Sequence, residues 1–196
     1  MKAIILDMYG VIMRQDGSDF APYVQKFFPE LTYEQITQPW FRADRGEIDM
    51  LEVWKAIGFE GDLEAIDREY LDTLELNEGV HAFAQKMRPL CKMAILSDDN
   101  SRWSRYLRRK FDIDQHFDAV CISAETGITK PNERAFEIAL ERLGCRAEEC
   151  VFIDDRPRNL AAAQALGMRA VLMGSRGDWQ GERASSFDEL AGILAE

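Results

Sequence analysis

Five short apolar runs constrain this chain more than any other feature: residues 2–6, 93–96, 119–122, 150–153 and 170–173. None alternates apolar with polar side chains, so a strand built from any of them has no face suited to water. Runs of this kind belong in a parallel sheet covered on both sides. Segments with helical periodicity lie between them. Residues 77–89 put Val80, Phe83, Ala84 and Met87 on one stripe. Residues 133–143 do the same with Ala135, Phe136, Ala139, Leu140 and Leu143, and Gly144 follows as a stop. Residues 101–111 are basic and amphipathic, 159–166 are Ala-rich before Gly167, and 186–194 read as a closing helix with Asp188 and Glu189 in its first turn. Strands alternating with helices predict an α/β fold, a Rossmann-like parallel sheet with right-handed crossovers.

Residues 15–77 break that rhythm. They hold no convincing strand, and helical patterns cover 20–28, 32–37, 49–58 and 63–74. The expected organisation is a core of residues 1–14 and 78–196 with an all-helical cap, 15–77, inserted after the first strand. A chain of 196 residues is long enough for that arrangement.

Charge narrows the function. Thirty-five acidic against 24 basic side chains give a net charge of -11, which repels nucleic acid and anionic membrane, so neither is expected as a main partner. It would also repel a phosphate, so a phosphate site must supply its own positive charge from a metal or a few placed cations. The four cysteines, Cys91, Cys121, Cys145 and Cys150, form no CxxC pair and read as reduced thiols. No apolar run approaches the roughly 18 residues needed to span a bilayer. The chain opens directly on its first strand, with no signal-peptide pattern, and a cytoplasmic location is expected.

In open α/β sheets, ligands bind beyond the carboxyl ends of the strands. The first run is followed by Asp7-Met8-Tyr9-Gly10-Val11 and the second by Ser97-Asp98-Asp99-Asn100. The third leads through residues 123–129 to Lys130-Pro131, and the fourth ends in Asp154-Asp155. A carboxylate, a hydroxyl, an ammonium and a carboxylate pair thus converge on one sheet edge. Asp7, Asp154 and Asp155 crowded together repel one another unless a cation sits among them. Mg²⁺, a hard cation, would neutralise that cluster and orient a phosphate. Lys130 can hold a phosphate oxygen as a compact positive charge, and Ser97 can donate a hydrogen bond to another. Phosphoryl transfer asks for positioning and charge stabilisation of this kind, and a carboxylate nucleophile can divide it into two steps.

These residues resemble, in order, the four motifs of the haloacid dehalogenase (HAD)-like hydrolase superfamily. They are Ile5-Leu6-Asp7-Met8-Tyr9-Gly10-Val11, Ile95-Leu96-Ser97, Lys130-Pro131, and Phe152-Ile153-Asp154-Asp155 followed by Asn159. The helical insertion resembles the cap of the dehalogenase-like branch, with Arg45-Gly46-Glu47-Ile48 as a recurrent cap segment. Residues 123–130 and 151–167 are similar to bacterial sugar-phosphate phosphatases of the glucose-1-phosphate type. The resemblance implies a Mg²⁺-dependent phosphatase acting on a small phosphate monoester through an aspartyl-phosphate on Asp7. Asp7, the Tyr9 carbonyl, Asp154 and Asp155 would be metal ligands, Ser97 and Lys130 would bind the phosphate, and Asn159 would orient the metal shell.

One position departs from the pattern. Most phosphatases of this superfamily carry a second Asp two residues after the nucleophile as acid and base, and here that residue is Tyr9. A phenol of pKa about 10 is a poor base near neutrality. A sugar 1-phosphate, with its good leaving group, would need less acid assistance. Two rivals follow: a metal-independent 2-haloacid dehalogenase in which Asp7 attacks carbon, and a catalytically weak HAD-like binding protein. The dehalogenase has no use for the Asp154-Asp155 pair.

The remaining polar residues have plainer readings. Asp98 and Asp99 suit the cap of the helix that begins at Ser101, with Asp98 a candidate for substrate contact. Arg42 and Arg45 are candidates for substrate binding from the insertion. Arg102, Arg105, Arg108, Arg109 and Lys110 read as a solvated helix face. Trp40 and Trp54 read as cap core, His81 and His116 as structural, and Arg156 and Arg158 as neighbours of the acidic pair.

Overall fold

Ala3, Ile4, Ile5 and Leu6 are all buried, odd and even positions alike. Ile4 and Leu6 point into one apolar cluster, Ala3 and Ile5 into another on the opposite face of the sheet. This is why the run has no polar alternation. The computed structural model describes residues 1–195. Its strands are β1 (Ala3–Leu6), β2 (Lys92–Ser97), β3 (Ala119–Ile122), β4 (Cys150–Asp154), β5 (Arg169–Met173) and β6 (Glu182–Ala184), all parallel in the order β3-β2-β1-β4-β5-β6. The five expected strands form with each end displaced by one residue or none. β1 is central, pairing Ile5 with Ala94 of β2 and with Phe152 of β4.

β6 was not expected. Its three residues, Glu182, Arg183 and Ala184, bury only the alanine, so they carry no apolar signal. They pair with Val171, Leu172 and Met173 of β5, and Arg169 reaches across to Glu182 at 2.7 Å.

The helices between β1 and β2 are α1 (Phe20–Val24), α2 (Tyr33–Asp44), α3 (Met50–Ala56), α4 (Leu63–Asp72) and α5 (Val80–Met87). The others are α6 (Ser101–Lys110), α7 (Ser123–Thr126), α8 (Glu133–Leu143), α9 (Pro157–Ala165) and α10 (Phe187–Ala195). The largest departure from expectation is α2, which runs to Asp44 rather than stopping near residue 37. Thr32 and Gln35 form a capping box at its start, and the helix continues through Pro39. Asp49 and Asp62 cap α3 and α4 through backbone N–H groups. The cap of α6 is Asn100, which accepts from Trp103 N–H at 2.8 Å, so Asp98 and Asp99 are free for other work.

The helices after β1 share one apolar cluster with a face of the sheet. Phe20 is the hub, with ring centroids 5.2–5.3 Å from Trp40, Trp54, Tyr70 and Trp103. Trp103 belongs to α6, and its indole N–H donates to Asp67 of α4 at 2.6 Å, as Trp54 does at 2.9 Å. Arg102 joins the same carboxylate at 2.8 Å, and Lys110 donates to the Leu71, Asp72 and Leu74 carbonyls closing α4. The basic side of α6 is therefore partly a clamp on the insertion rather than a wholly solvated face. All four cysteines are free thiols. Among the described residues no helix is long and apolar enough to cross a membrane.

Candidate active site

β1 delivers Asp7 at its carboxyl end. The Asp7 N–H continues the ladder to Ile153 O at 2.9 Å, and the side chain is buried. Asp7 Oδ1 accepts from Met8 N–H at 2.6 Å and lies 2.8 Å from Lys130 Nζ. That ammonium also reaches Asp154 Oδ2 at 2.9 Å and Leu96 O at 3.0 Å. Its three donors meet three acceptors, an arrangement only the protonated form can make. Asp154 is fully buried, and its other contacts are Arg156 N–H to Oδ1 at 2.8 Å and Asn159 Nδ2 to Oδ2 at 3.0 Å. Asp98 Oδ1 holds the Lys130 backbone N–H at 2.8 Å.

Asp155 completes a trio. Asp7, Asp154 and Asp155 each offer a carboxylate oxygen within 4.8 Å of the others. Asp155 Oδ1 is buried with no hydrogen-bond partner, while Oδ2 takes Arg176 Nη1 at 3.0 Å. Gly10, with φ 78°, packs so closely that a Cβ would sit 2.7 Å from the Asp155 Cγ, so the turn after Asp7 requires glycine. Three buried carboxylates, one with an orphaned oxygen, form a donor set that suits a hard divalent cation.

Burial pushes the Asp7 carboxyl up, opposed by the Lys130 ammonium. Burial would lower Lys130, but Asp154, Asp7 and Asp98 outweigh it and hold the ammonium charged. Asp155 is raised to about 6, chiefly by burial and then by Asp154.

A cavity of about 330 Å³ opens above this cluster, with Asp7, Asp98, Lys130 and Asn159 in its wall. Tyr9, Asp44, Arg45, Trp40, Phe41, Arg156 and Arg158 also line it. Ser97 and Arg42 do not. Ser97 is 1% exposed with its Oγ unpartnered, and Arg42 pairs with Glu47 at 3.1 Å on the surface. Arg45 also pairs with Glu47, at 2.7 Å. His81 and His116 lie away from the cavity, 2.9 Å apart and bonded to each other.

Trp40 packs at the edge of the core, its ring 5.3 Å from Phe20 and 6.2 Å from Trp103, and it also lines the cavity. It is half-buried, stacks on Phe41 with centroids 5.7 Å apart, and leaves its buried Nε1 without a partner. Trp54 does lie in the core, fully buried. Sequence reasoning also missed Asp44, Asp16 and Arg176. Arg176 follows β5 and pairs with both Asp155 and Asp16. The rule that located the other residues, inspection of strand ends, would have found it had the fifth strand been followed as the first four were. Asp44 carried no such signal, because it ends a helix of the insertion.

Tyr9 is committed elsewhere. Its buried hydroxyl donates to Asp99 Oδ1 at 3.3 Å, and burial and the Asp99 charge raise its pKa further from neutrality.

Residues 1–167 match the family described as haloacid dehalogenase-like hydrolase. Among curated proteins the chain is 25% identical over 200 residues to the drimenol cyclase drtB of Aspergillus calidoustus, covering 97% of this chain and 37% of that protein. It is 37% identical over 75 residues to a glyceraldehyde 3-phosphate phosphatase of Methanothermobacter thermautotrophicus, covering 38% of this chain and 32% of that one. The matches therefore span only about a third of those relatives. Among solved structures, a HAD family enzyme of Bacteroides thetaiotaomicron, a point mutant complexed with magnesium and inorganic phosphate, superposes with a TM-score of 0.77 at 20% identity. That match covers 92% of this chain and 97% of the other. Haloacid dehalogenases share the fold as well.

Proposed function

The chain belongs to the haloacid dehalogenase-like hydrolases, and from that premise we propose that it is a Mg²⁺-dependent phosphatase acting on a small, sugar-phosphate-like monoester through an aspartyl-phosphate on Asp7. The observation that carries this reading is the acidic pair Asp154-Asp155 set beside Asp7 in one buried trio. A dehalogenase, whose nucleophile attacks carbon, has no need of such a pair. The phosphatase among its relatives and the magnesium and phosphate in a structural neighbour agree with it.

Asp7, Asp154 and Asp155, with the Tyr9 carbonyl, would hold the metal, which when bound would neutralise their charge and orient the phosphate. Lys130 aims the Asp7 carboxyl and opposes the burial that pushes its pKa up, and its ammonium offsets negative charge as the phosphoryl group arrives. Asn159 fixes the Asp154 carboxylate. Ser97 Oγ is unpartnered and would meet a phosphoryl oxygen only on its approach to Asp7, because Ser97 does not line the cavity. Residues 15–77 act as the cap, and Arg45, Arg156 and Arg158 give the cavity the local positive charge that a chain of net charge -11 otherwise lacks. The stacked Trp40 and Phe41 offer a flat apolar face to the rest of the substrate.

The test is hydrolysis of p-nitrophenyl phosphate with Mg²⁺ and with chelator, for wild type and Asp7→Asn. Activity that requires both the metal and Asp7 is expected. Phosphate release that survives chelation sinks the metal assignment. Halide release from a 2-haloacid without metal would establish the dehalogenase instead.

A further inference from the structure

We propose that Asp44, at the end of α2, is the proton donor and acceptor of this active site, in place of the Asp missing at position 9. The inference rests on the phosphatase reading and extends it.

Asp44 comes from the insertion, yet it lines the same cavity as Asp7, Lys130 and Asn159. It is 7% exposed, and its Oδ1 is buried with no hydrogen-bond partner among the described residues. Among the described residues no ion pair holds its carboxyl. A carboxylate there would be desolvated with Arg156 and Arg45 opposing but not paired to it, so burial favours the protonated acid. Burial is the main cause of its raised pKa, with Asp98 adding to it and Arg156 and Arg45 opposing. Asp99 and the Tyr9 phenol are the other titratable groups on this side, and neither carries positive charge. A neutral carboxylic acid facing a substrate cavity is what general-acid catalysis near pH 7 requires.

The position is built, not incidental. Ser123 Oγ donates to the Asp44 carbonyl and accepts the Asp99 N–H at 2.9 Å, so one hydroxyl ties the end of α2 to the loop after β2. Two residues on, Gly46 lies against the backbone of Ala124, where a Cβ would come 2.2 Å from the carbonyl oxygen. Those contacts seat the Asp44 backbone on the core. Tyr9, the residue at the expected acid position, gives its only proton to Asp99.

The steps balance. Asp7 attacks phosphorus and the bond from phosphorus to the leaving oxygen breaks. That oxygen takes the Asp44 proton and departs as an alcohol. Water then attacks the aspartyl-phosphate, the bond from phosphorus to Asp7 breaks, and the proton lost by water returns to Asp44. With such a donor the substrate need not have a good leaving group.

Asp44→Asn tests this against two substrates, p-nitrophenyl phosphate and a sugar 6-phosphate. The alkyl ester, which needs protonation, should slow by about 10²-fold or more, the range of a general acid. The aryl ester should lose far less. An equal fall on both overturns the proposal and leaves the phosphatase reading standing. A wild type inert towards every phosphate overturns both. Asn needs no proton to be buried, so the variant should fold, and its melting curve is the control. Asp44→Ser repeats the comparison if Asn does not fold. Independently of turnover, the infrared difference between wild type and Asp44→Asn at pH 7 should contain a protonated-carboxyl stretch. An ionised carboxylate band there overturns the assignment.

Discussion

Two pairs of aspartates each put one member in the cavity wall, Asp7 and Asp44, and they meet the burial of charge differently. On the sheet side, Asp7 and Asp154 share the Lys130 ammonium at 2.8 and 2.9 Å. Asp44 of the insertion and Asp99 of the loop after β2 are as deeply buried, but among the described residues no cation pairs with either carboxyl, and each has one oxygen with no partner. Burial raises both of their pKa values, and for Asp99 the nearby Asp44 adds to it. Lys130 thus favours the charged form on the paired side, against the burial that raises Asp7, while burial favours the neutral form where no cation is in contact. Nucleophilic attack wants the first state and proton donation the second, so the placement of a single ammonium divides the roles.

The largest effect should come from removing the nucleophile on the paired side. Asp7→Asn is isosteric and keeps an acceptor for Lys130, so the fold should survive. Phosphatase activity should nevertheless fall by at least about 10³-fold, as with other lost nucleophiles. Retention of more than a few per cent of wild-type turnover would remove Asp7 from the chemistry.

Lys130→Met should follow in size. It leaves Asp7 and Asp154 buried without their cation, a loss of about 3–5 kcal/mol for a broken buried pair. Urea unfolding at pH 7 measures it, and activity should go with it. The same substitution should cost least at acid pH, where the two carboxylates can take up protons instead. A cost independent of pH would mean that the ammonium is not what keeps them charged.

The unpaired side should show its state through the pH dependence of stability. Asp44 has a raised pKa in the folded protein, so the folded state binds more protons than the unfolded one above the ordinary carboxylate value of about 3.9. Stability is then fully present below that value and is lost as pH climbs towards the raised one, by about 1.4 kcal/mol per pH unit for one such group. Asn carries no titrating proton. Wild type and Asp44→Asn should match near pH 4, and the variant should be the more stable at pH 7. Parallel curves across that range would mean that Asp44 is ionised in the fold.

The two sides also differed in how legible they were. Asp7, Ser97, Asp154 and Asp155 lie at or just beyond apolar strands and Lys130 follows β3 through α7, and the strand-end rule needs only the sequence to gather them. The sheet was legible for the same reason, because Ile4, Ile5 and Leu6 have to be buried on both faces. The insertion obeys no comparable rule. The pattern for α2 fades at residue 37, while the helix continues through Pro39 to carry Trp40 and Asp44 into the cavity. A carboxyl at the end of an amphipathic helix looks solvated until tertiary contacts bury it. Here those contacts join Asp44 and Gly46 to Ser123 and Ala124, which lie far along the sequence. β6 was hidden differently: its backbone pairs, but only one of its three side chains, that of Ala184, is buried.

The smallest effect expected is that of Tyr9→Phe, and it separates the insertion-side acid from the residue that occupies the acid position in sequence. The phenol is buried and its hydroxyl has one partner, Asp99 Oδ1 at 3.3 Å. Phe keeps the ring and its packing, so the loss should be that of a single neutral hydrogen bond, about 1 kcal/mol in urea. If Tyr9 only props Asp99, the ratio of alkyl to aryl phosphate turnover stays at its wild-type value. If the phenol were the proton donor, that ratio would collapse as it does for Asp44→Asn. The burial that raises Tyr9 would then have produced a donor too weak to work near neutrality. A ratio that falls in Tyr9→Phe and holds in Asp44→Asn would reverse the two roles, and with them the claim that the unpaired carboxyls exist to carry protons.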